Sequence, residues 1–427
     1  MTGGFAVALD YIASQSTLGL LNLFWYTVAL EIPRYGLAFL MLGMLAGWRE
    51  RRARRRVPPP PTVLPRVSVV VVGHNEAEAL ERCLRSLQEQ TLRPSEVVVV
   101  SDGSTDAMAG VAARMVRLGL ADHALATDLR SGKSAGLNLA LHAATGDLVV
   151  NVDCDCSFGA DALERILAPF ADPLVGAVSG DIAPRNGGHS LVAKLQEVEY
   201  LLSISVGRRV GHALNQVTCV SGAFGAFRRE ALLQVGGCDV GGGEDLDLTL
   251  RVRAAGWRVA FAPDATCYTD VPARFRGLVR QRLRWERDAI RLRFRKHRRI
   301  LFGGDPAMGM AEAVHQWDFL VFEFGATVAF PLYLAWLFAM YGDMAVPILL
   351  AMQAGLLLLD TAMLAAAALA VPRRVPLSLL LYAPGHAVFS AWVMRPVRLF
   401  AFIQEWFLFG SRRDDYVPAE VRRIRKW

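Results

Sequence analysis

Carboxylates and thiols alternate where the stretch NVDCDCSF (151–158) closes a run of β-branched residues. In extended backbone, side chains alternate with period two, so Asp153 and Asp155 face one way and Cys154 and Cys156 the other. Carboxylates suit hard Mg²⁺ or Mn²⁺, which keep water ligands and bridge to substrate phosphates. The thiols fall short of the four N/S ligands of a structural zinc site, so they read as small buried hydrophobes. A second acidic pair, Glu244-Asp245, follows the glycine-rich run VGGCDVGGG (235–243) and opens a helical pattern. Carboxylates at a helix N-terminus are favoured by its dipole. The alternative is a general base carried on a loop that closes over substrate.

In RSGKSAGLNLAL (130–141), Lys133 sits in a loop before a helix, where an ammonium can meet a diphosphate. Asn138 lies on the same side about a turn and a half further on; a plain surface lysine is the competing reading. Gln281, Arg284 and Trp285 fall within about one helical turn of QRLRW. A guanidinium there can neutralise a departing diphosphate and an indole can stack on a sugar ring, although a lipid-facing basic helix would use the same residues. The loops GHNEAEALERCLRSLQEQ (73–90) and SDGSTD (101–106) leave the first strands. Neither contains GxGxxG or GxxxxGK[ST], which excludes the dinucleotide and Walker fingerprints. Asp102 can hydrogen-bond a base or ribose, while Ser104 or Asp106 as an N-cap explains the second loop as well.

These residues need a frame. VSVVVV (67–72), EVVVVS (96–101) and DLVVNVD (147–153) are buried-strand runs separated by helical patterns. That texture predicts an α/β fold with a mixed, mostly parallel sheet and helices on both faces. Apolar residues make up 53% of the chain beside 20% charged ones, and the two are segregated, which predicts a cytoplasmic domain joined to membrane segments. The net charge of +7 does not imply nucleic acid, because the arginines cluster beside hydrophobic stretches, the signature of the cytoplasmic membrane face. The 6 cysteines are scattered without CxxC pairs, so neither disulfides nor zinc knuckles are expected. Asp10, rather than a basic region, precedes the first apolar segment, so no cleavable leader is expected.

The expected organisation is a membrane segment with a basic stop (1–56), a proline-rich linker (57–65), the α/β domain (66–271) and basic interfacial helices (272–316). Membrane helices (317–410) and a basic cytoplasmic tail (411–427) follow. Within 317–410, Gly342-Asp343 would turn between two spans, and Arg373-Arg374 would return the chain to the cytoplasm. The arginine-loaded helix of 272–299 is expected to lie on anionic lipid.

In this order and spacing the motifs resemble the membrane-bound, processive family 2 glycosyltransferases, such as the cellulose, hyaluronan, chitin-oligosaccharide and poly-N-acetylglucosamine synthases. The resemblance covers about 66–290 and rests on DxD, the acidic ED pair and QxxRW occurring together. It implies a GT-A nucleotide-sugar domain at the inner (cytoplasmic) membrane with Mg²⁺ or Mn²⁺ as cofactor. The metal would sit on Asp155, with Asp153 nearer the ribose or bound through water. Asp245 would be the general base beside Glu244, and Asp102 would contact uridine. Lys133 and Asn138 would form the KxGxxN-like donor loop, and Gln281, Arg284 and Trp285 would match QxxRW, with Trp285 on the acceptor. Ser221 and Gly222 of VSGAFGAFRRE would tip the acceptor-side finger.

The implied reaction is an inverting, processive β-transfer from a UDP-sugar, N-acetylglucosamine ahead of glucose, to a growing glycan. The alternative is a single transfer to a lipid or polyprenyl phosphate. Membrane lipids and export or accessory subunits are the other expected partners. The chain departs from the family pattern at Ser101, where an aspartate is common, and at Gly243, where a threonine usually precedes ED. The short stretch after 411 argues against a cyclic-dinucleotide-sensing domain.

Overall fold

The computed structural model of the protein describes residues 2–35, 47, 65–303 and 309–413. The arginine run at 49–56, the proline run at 57–61 and the tail from 414 lie outside the described residues.

An 8-stranded sheet runs in the order β3-β2-β1-β4-β7-β6-β8-β5. Its strands are β1 (Val67–Gly73), β2 (Glu96–Asp102), β3 (His123–Thr127), β4 (Leu148–Asp153), β5 (Ser157–Phe158), β6 (Val175–Pro184), β7 (Phe224–Arg228) and β8 (Arg258–Thr269). The first half, β3-β2-β1-β4, is parallel, and the β6/β8 pair is parallel too. β7 is antiparallel to both of its neighbours, and β5 is antiparallel to β8.

The valine runs form strands because both faces of the sheet are covered. Val67, Val69 and Val71 enter the core beneath helix Ala77–Gln88, while Val70 and Val72 enter the core beneath helix Lys133–Ala143. A β-branched chain fits each pleat, and burying such a side chain is worth about 1.5–3 kcal/mol, so an unbroken run is stabilised on both faces.

This topology gathers the reactive loops. Because β1 lies between β2 and β4, its end meets both neighbours: Gly73 pairs with Ser101 and Val72 with Asp153. The antiparallel β7 starts at the same edge, with Phe224 opposite Val152, which sets Ser221-Gly222 beside Asp153. Extended geometry does not persist through 153–156 as expected. β4 ends at Asp153, and a turn through Cys154-Asp155 is closed by Cys156 N donating to Asp153 O (3.1 Å). The turn, not strand alternation, buries both thiols while leaving the carboxylates half-buried.

Two helical stretches, His315–Ala370 and Leu377–Leu408, are long and apolar enough to cross a membrane. The first turns at Gly342, whose φ of +50° favours glycine, between helices Ala326–Tyr341 and Ala345–Ala370. The basic segment forms helix Phe275–Arg291, a π-turn Leu292–Lys296 and helix Arg298–Leu301. Many of its cations face protein rather than an open surface. Arg282 pairs with Glu199 (2.7 Å), Arg295 with Glu405 (2.7 Å), and Lys296 with Asp247 (2.7 Å). Arg274, Arg276, Arg280, Arg298 and Arg299 remain exposed. Helix Arg395–Leu408 docks on Phe275–Arg291, with Arg398 Nε donating to Glu286 Oε1 at 2.9 Å.

Candidate active site

Lys133 is the hub. It is the first residue of helix Lys133–Ala143 rather than part of the preceding loop, and Gly132, at φ +91°, makes the bend that admits it. Its ammonium donates to Asp153 Oδ1 and to Gly222 O (3.0 Å), and lies 3.7 Å from Glu244 Oε1. One cation therefore joins the end of β4, the finger before β7 and the ED helix. Burial alone would lower the Lys133 ammonium, but Asp153 and Glu244 outweigh it and hold it charged. Burial pushes the Glu244 carboxyl up to about 7; Lys133 opposes that rise and Asp245 adds to it.

Helix Glu244–Ala254 begins after Gly243, whose φ is +66°. A Cβ there would meet Leu292 Cδ1 at 2.8 Å and Asp288 Cβ at 3.1 Å, so glycine lets the basic helix close over the loop. Arg291 reinforces the contact by donating to Gly242 O (2.7 Å). One turn into the same helix, Asp247 is fully buried and accepts from Arg251 (2.8 Å), Lys296 (2.7 Å) and His297 (2.7 Å). Burial would raise that carboxyl, yet His297, Arg251 and Lys296 hold it well below the usual range. The acidic pair thus stands on a helix pinned from behind by cations.

On the other side of Lys133, Glu76, Asp153 and Asp155 converge. Burial first, then Asp153 and Asp155, push the Glu76 carboxyl up to about 7. Burial and Asp153 also raise Asp155, whose Oδ2 accepts from Thr269 Oγ1 (3.1 Å). Burial raises the Cys154 thiol; for Cys156 the hydrogen bond with Cys267 comes first and burial second, so both stay protonated and unsuited to metal. Mutually repelling carboxylates of hard oxygen character fit a divalent cation. Among the described residues no group of three or more such side chains is placed to hold an ion alone.

The remaining expected residues take different places. Both oxygens of Asp102 are already used, accepting from Ser131 N (2.7 Å) and Gly132 N (2.7 Å), so the carboxylate fixes the loop that aims Lys133. The Asn138 carboxamide is spent on Cys238, donating to its O (2.7 Å) and accepting from its N (2.8 Å), which clamps the glycine-rich loop. Ser221 is buried, with its N donating to Ser179 Oγ (3.2 Å), and Gly222 lines the cleft beside Glu244 and Asp245. Gln281 and Arg284 are half-buried on helix Phe275–Arg291, and Gln281 Oε1 has no partner among the described residues. Trp285 is 40% exposed, with the Arg282 guanidinium 4.5 Å from its ring.

A GT-A fold with an acidic strand end, Lys133 at a helix start and an ED helix is the arrangement of a glycosyltransferase. Residues 65–287, more than half of the chain's 427, match the family described as Glycosyltransferase like family 2, and the chain belongs to that family. It is 34% identical over 242 residues to an N-acetylglucosaminyltransferase of Rhizobium meliloti, covering 53% of this chain and 56% of that protein. It is 29% identical over 223 residues to a poly-β-1,6-N-acetyl-D-glucosamine synthase of Staphylococcus aureus, covering 51% of this chain and 53% of that one. The chain spans about half the length of the curated relatives it matches. A solved mannosyltransferase from Pyrobaculum calidifontis, in complex with GDP-Man and Mn²⁺, superposes with a TM-score of 0.57 at 29% identity, covering 81% of this chain and 98% of that one.

Sequence reasoning missed Glu76 and the Asp247 cluster. Glu76 was visible within GHNEAEAL, a polar loop after a buried strand, but nothing in one dimension placed it against Asp153. The i,i+4 pair of Asp247 with Arg251 is local, but its other partners Lys296 and His297 lie 49 and 50 positions away along the chain, where no pattern connects them.

Proposed function

We propose that the protein is an inverting, metal-dependent glycosyltransferase that moves N-acetylglucosamine from its UDP donor onto a growing glycan at a membrane, processively. The observation that carries this reading is the single ammonium of Lys133, which ties Asp153 to Glu244 of the ED pair. Such an arrangement sets a nucleotide-diphosphate side and a proton-accepting side about one cation.

Asp155, with Asp153, would hold Mg²⁺ or Mn²⁺, and the bound ion supplies neutralising charge for the departing diphosphate. Asp245 takes the proton from the acceptor hydroxyl. Glu244, beside it, keeps Lys133 in place. Lys133 and Arg284 present charge to the leaving diphosphate in a partly dry site, where fixed charges count most. Asp102 and Asn138 act at one remove, through the 130–132 loop and the Gly237-Cys238 turn. Trp285 offers its exposed indole face to an acceptor sugar, with Arg282 behind it. The relatives' names support N-acetylglucosamine as the sugar, and the two long apolar helices support a membrane location.

The test is product analysis. Membranes holding the full chain, supplied with Mn²⁺ and radiolabelled UDP-N-acetylglucosamine, UDP-glucose or GDP-mannose in turn, should build a polymer ladder from the first donor alone. A single extractable glycolipid would replace processivity with one-step lipid glycosylation, and incorporation only from GDP-mannose would overturn the donor.

A further inference from the structure

Asn151 lies in the middle of β4 and is 6% exposed, yet no part of the proposed reaction uses it. Its Nδ2 donates to Gly222 O (2.8 Å). A carbonyl can only accept, so the amide nitrogen must face Gly222 and the oxygen must point elsewhere. That oxygen, Asn151 Oδ1, is buried without a hydrogen-bond partner among the described residues. Leaving a buried carbonyl unpaired is destabilising, so an orphan of this kind beside a cleft asks for a donor from outside the chain.

The cleft is there. A cavity of about 40 Å³ is lined by Glu244, Asp245 and Asn151 and, on its apolar side, by Leu137, Leu141, Val220 and Leu248. That is room for a substituent of a few heavy atoms, not for a whole sugar. The wall is apolar, and among the described residues lining the cavity Asn151 Oδ1 is the orphaned acceptor. A ligand group that matches must carry an N–H next to a small apolar end. Of the substituents on a hexose, a 2-acetamido group does so: its N–H reaches Asn151 Oδ1 and its methyl meets the leucines. A 2-hydroxyl could satisfy Oδ1 but would leave the apolar wall empty.

We infer that this cleft is the acetamido pocket of the donor site, with Asn151 and the Leu137 wall selecting 2-acetamido sugars over their 2-hydroxy counterparts. The inference rests on the glycosyl transfer proposed above and specifies its donor pocket. A methyl-sized apolar fit discriminates by roughly 10- to 200-fold.

Titration calorimetry of the full chain in detergent with saturating Mn²⁺ tests it, using UDP, UDP-glucose and UDP-N-acetylglucosamine. Wild type should bind UDP-N-acetylglucosamine at least about tenfold more tightly than UDP-glucose. Leu137→Phe, which narrows the wall, and Asn151→Ala, which removes the acceptor, should each cut that preference to within twofold while leaving UDP affinity unchanged. Retained UDP binding also certifies that each variant is folded. If both variants keep the wild-type preference, or if wild type binds the two sugars equally, the pocket assignment falls and the glycosyl transfer stands. If wild type binds none of the uridine nucleotides, the donor reading itself falls and the pocket with it.

Discussion

Lys133→Met removes one charge and keeps most of the side-chain volume, so it isolates what the ammonium does. Glu244 Oε1 lies 3.7 Å from it. At an effective dielectric of about 20, unit charges at that distance interact by about 4.5 kcal/mol. Lys133 is 28% exposed and Glu244 14%, and solvent screening reduces the usable part to about 2–3 kcal/mol. That corresponds to roughly 30- to 150-fold in the Glu244 ionisation equilibrium. In wild type, Glu244 ionises at about 7, so the rate should climb as pH rises through neutrality. Without the lysine the ionised carboxylate loses its stabilising partner, so the climb must move to higher pH, by more than about one unit. Loss of charge facing the leaving diphosphate should also lower kcat by roughly 10²- to 10³-fold. The assay is coupled UDP release across pH 5.5–9.5 for wild type, Lys133→Met and Lys133→Arg. A Lys133→Met enzyme within fivefold of wild type, with its rate climbing at the wild-type pH, would refute the reasoning.

Other consequences are equally concrete. Asp247→Asn strips the charge from a fully buried acceptor facing Arg251, Lys296 and His297, and should cost about 3–5 kcal/mol, read as a fall in Tm of several degrees. The folded-state pKa of Asp247 is depressed, so its contribution is complete above the ordinary 3.8 and lost only in stronger acid. The Tm difference should therefore stay constant from pH 5 to 8. Asn138→Ala breaks both bonds to Cys238 and should cost about 2 kcal/mol, with proteolysis at the 236–243 loop quickening while UDP affinity holds. Asp155→Asn should weaken Mn²⁺ binding measured by electron paramagnetic resonance in the presence of UDP by at least about tenfold.

What the sequence conveyed was mostly periodicity and residue type. The valine runs predict buried strands because a strand covered on both faces has no polar side to show, and β1, β2 and β4 are such strands. Asp153, Lys133 and Glu244 were legible as candidates because each follows a strand or a glycine turn. Their meeting was not, since it depends on β4 lying beside β1 and on β7 running antiparallel. Partner choice was hidden for the same reason. Asp102 looks free in SDGSTD yet serves the backbone of Ser131 and Gly132, and Asn138 finds its partner 100 residues on. The arginines of 272–299 read as lipid-facing, whereas Arg282 and Arg295 answer Glu199 and Glu405, acids too distant in sequence for any pattern to connect.

The central claim is that Asp245 is the proton acceptor in transfer from a uridine-diphosphate sugar. Asp245→Asn preserves size and the bond its Oδ1 accepts from Leu246 N (2.8 Å) while removing basicity. Measured side by side with wild type in the presence of Mn²⁺ and UDP-N-acetylglucosamine, it should release UDP at least about 10³-fold more slowly and bind UDP as tightly. Sustained polymer synthesis by Asp245→Asn would contradict the account.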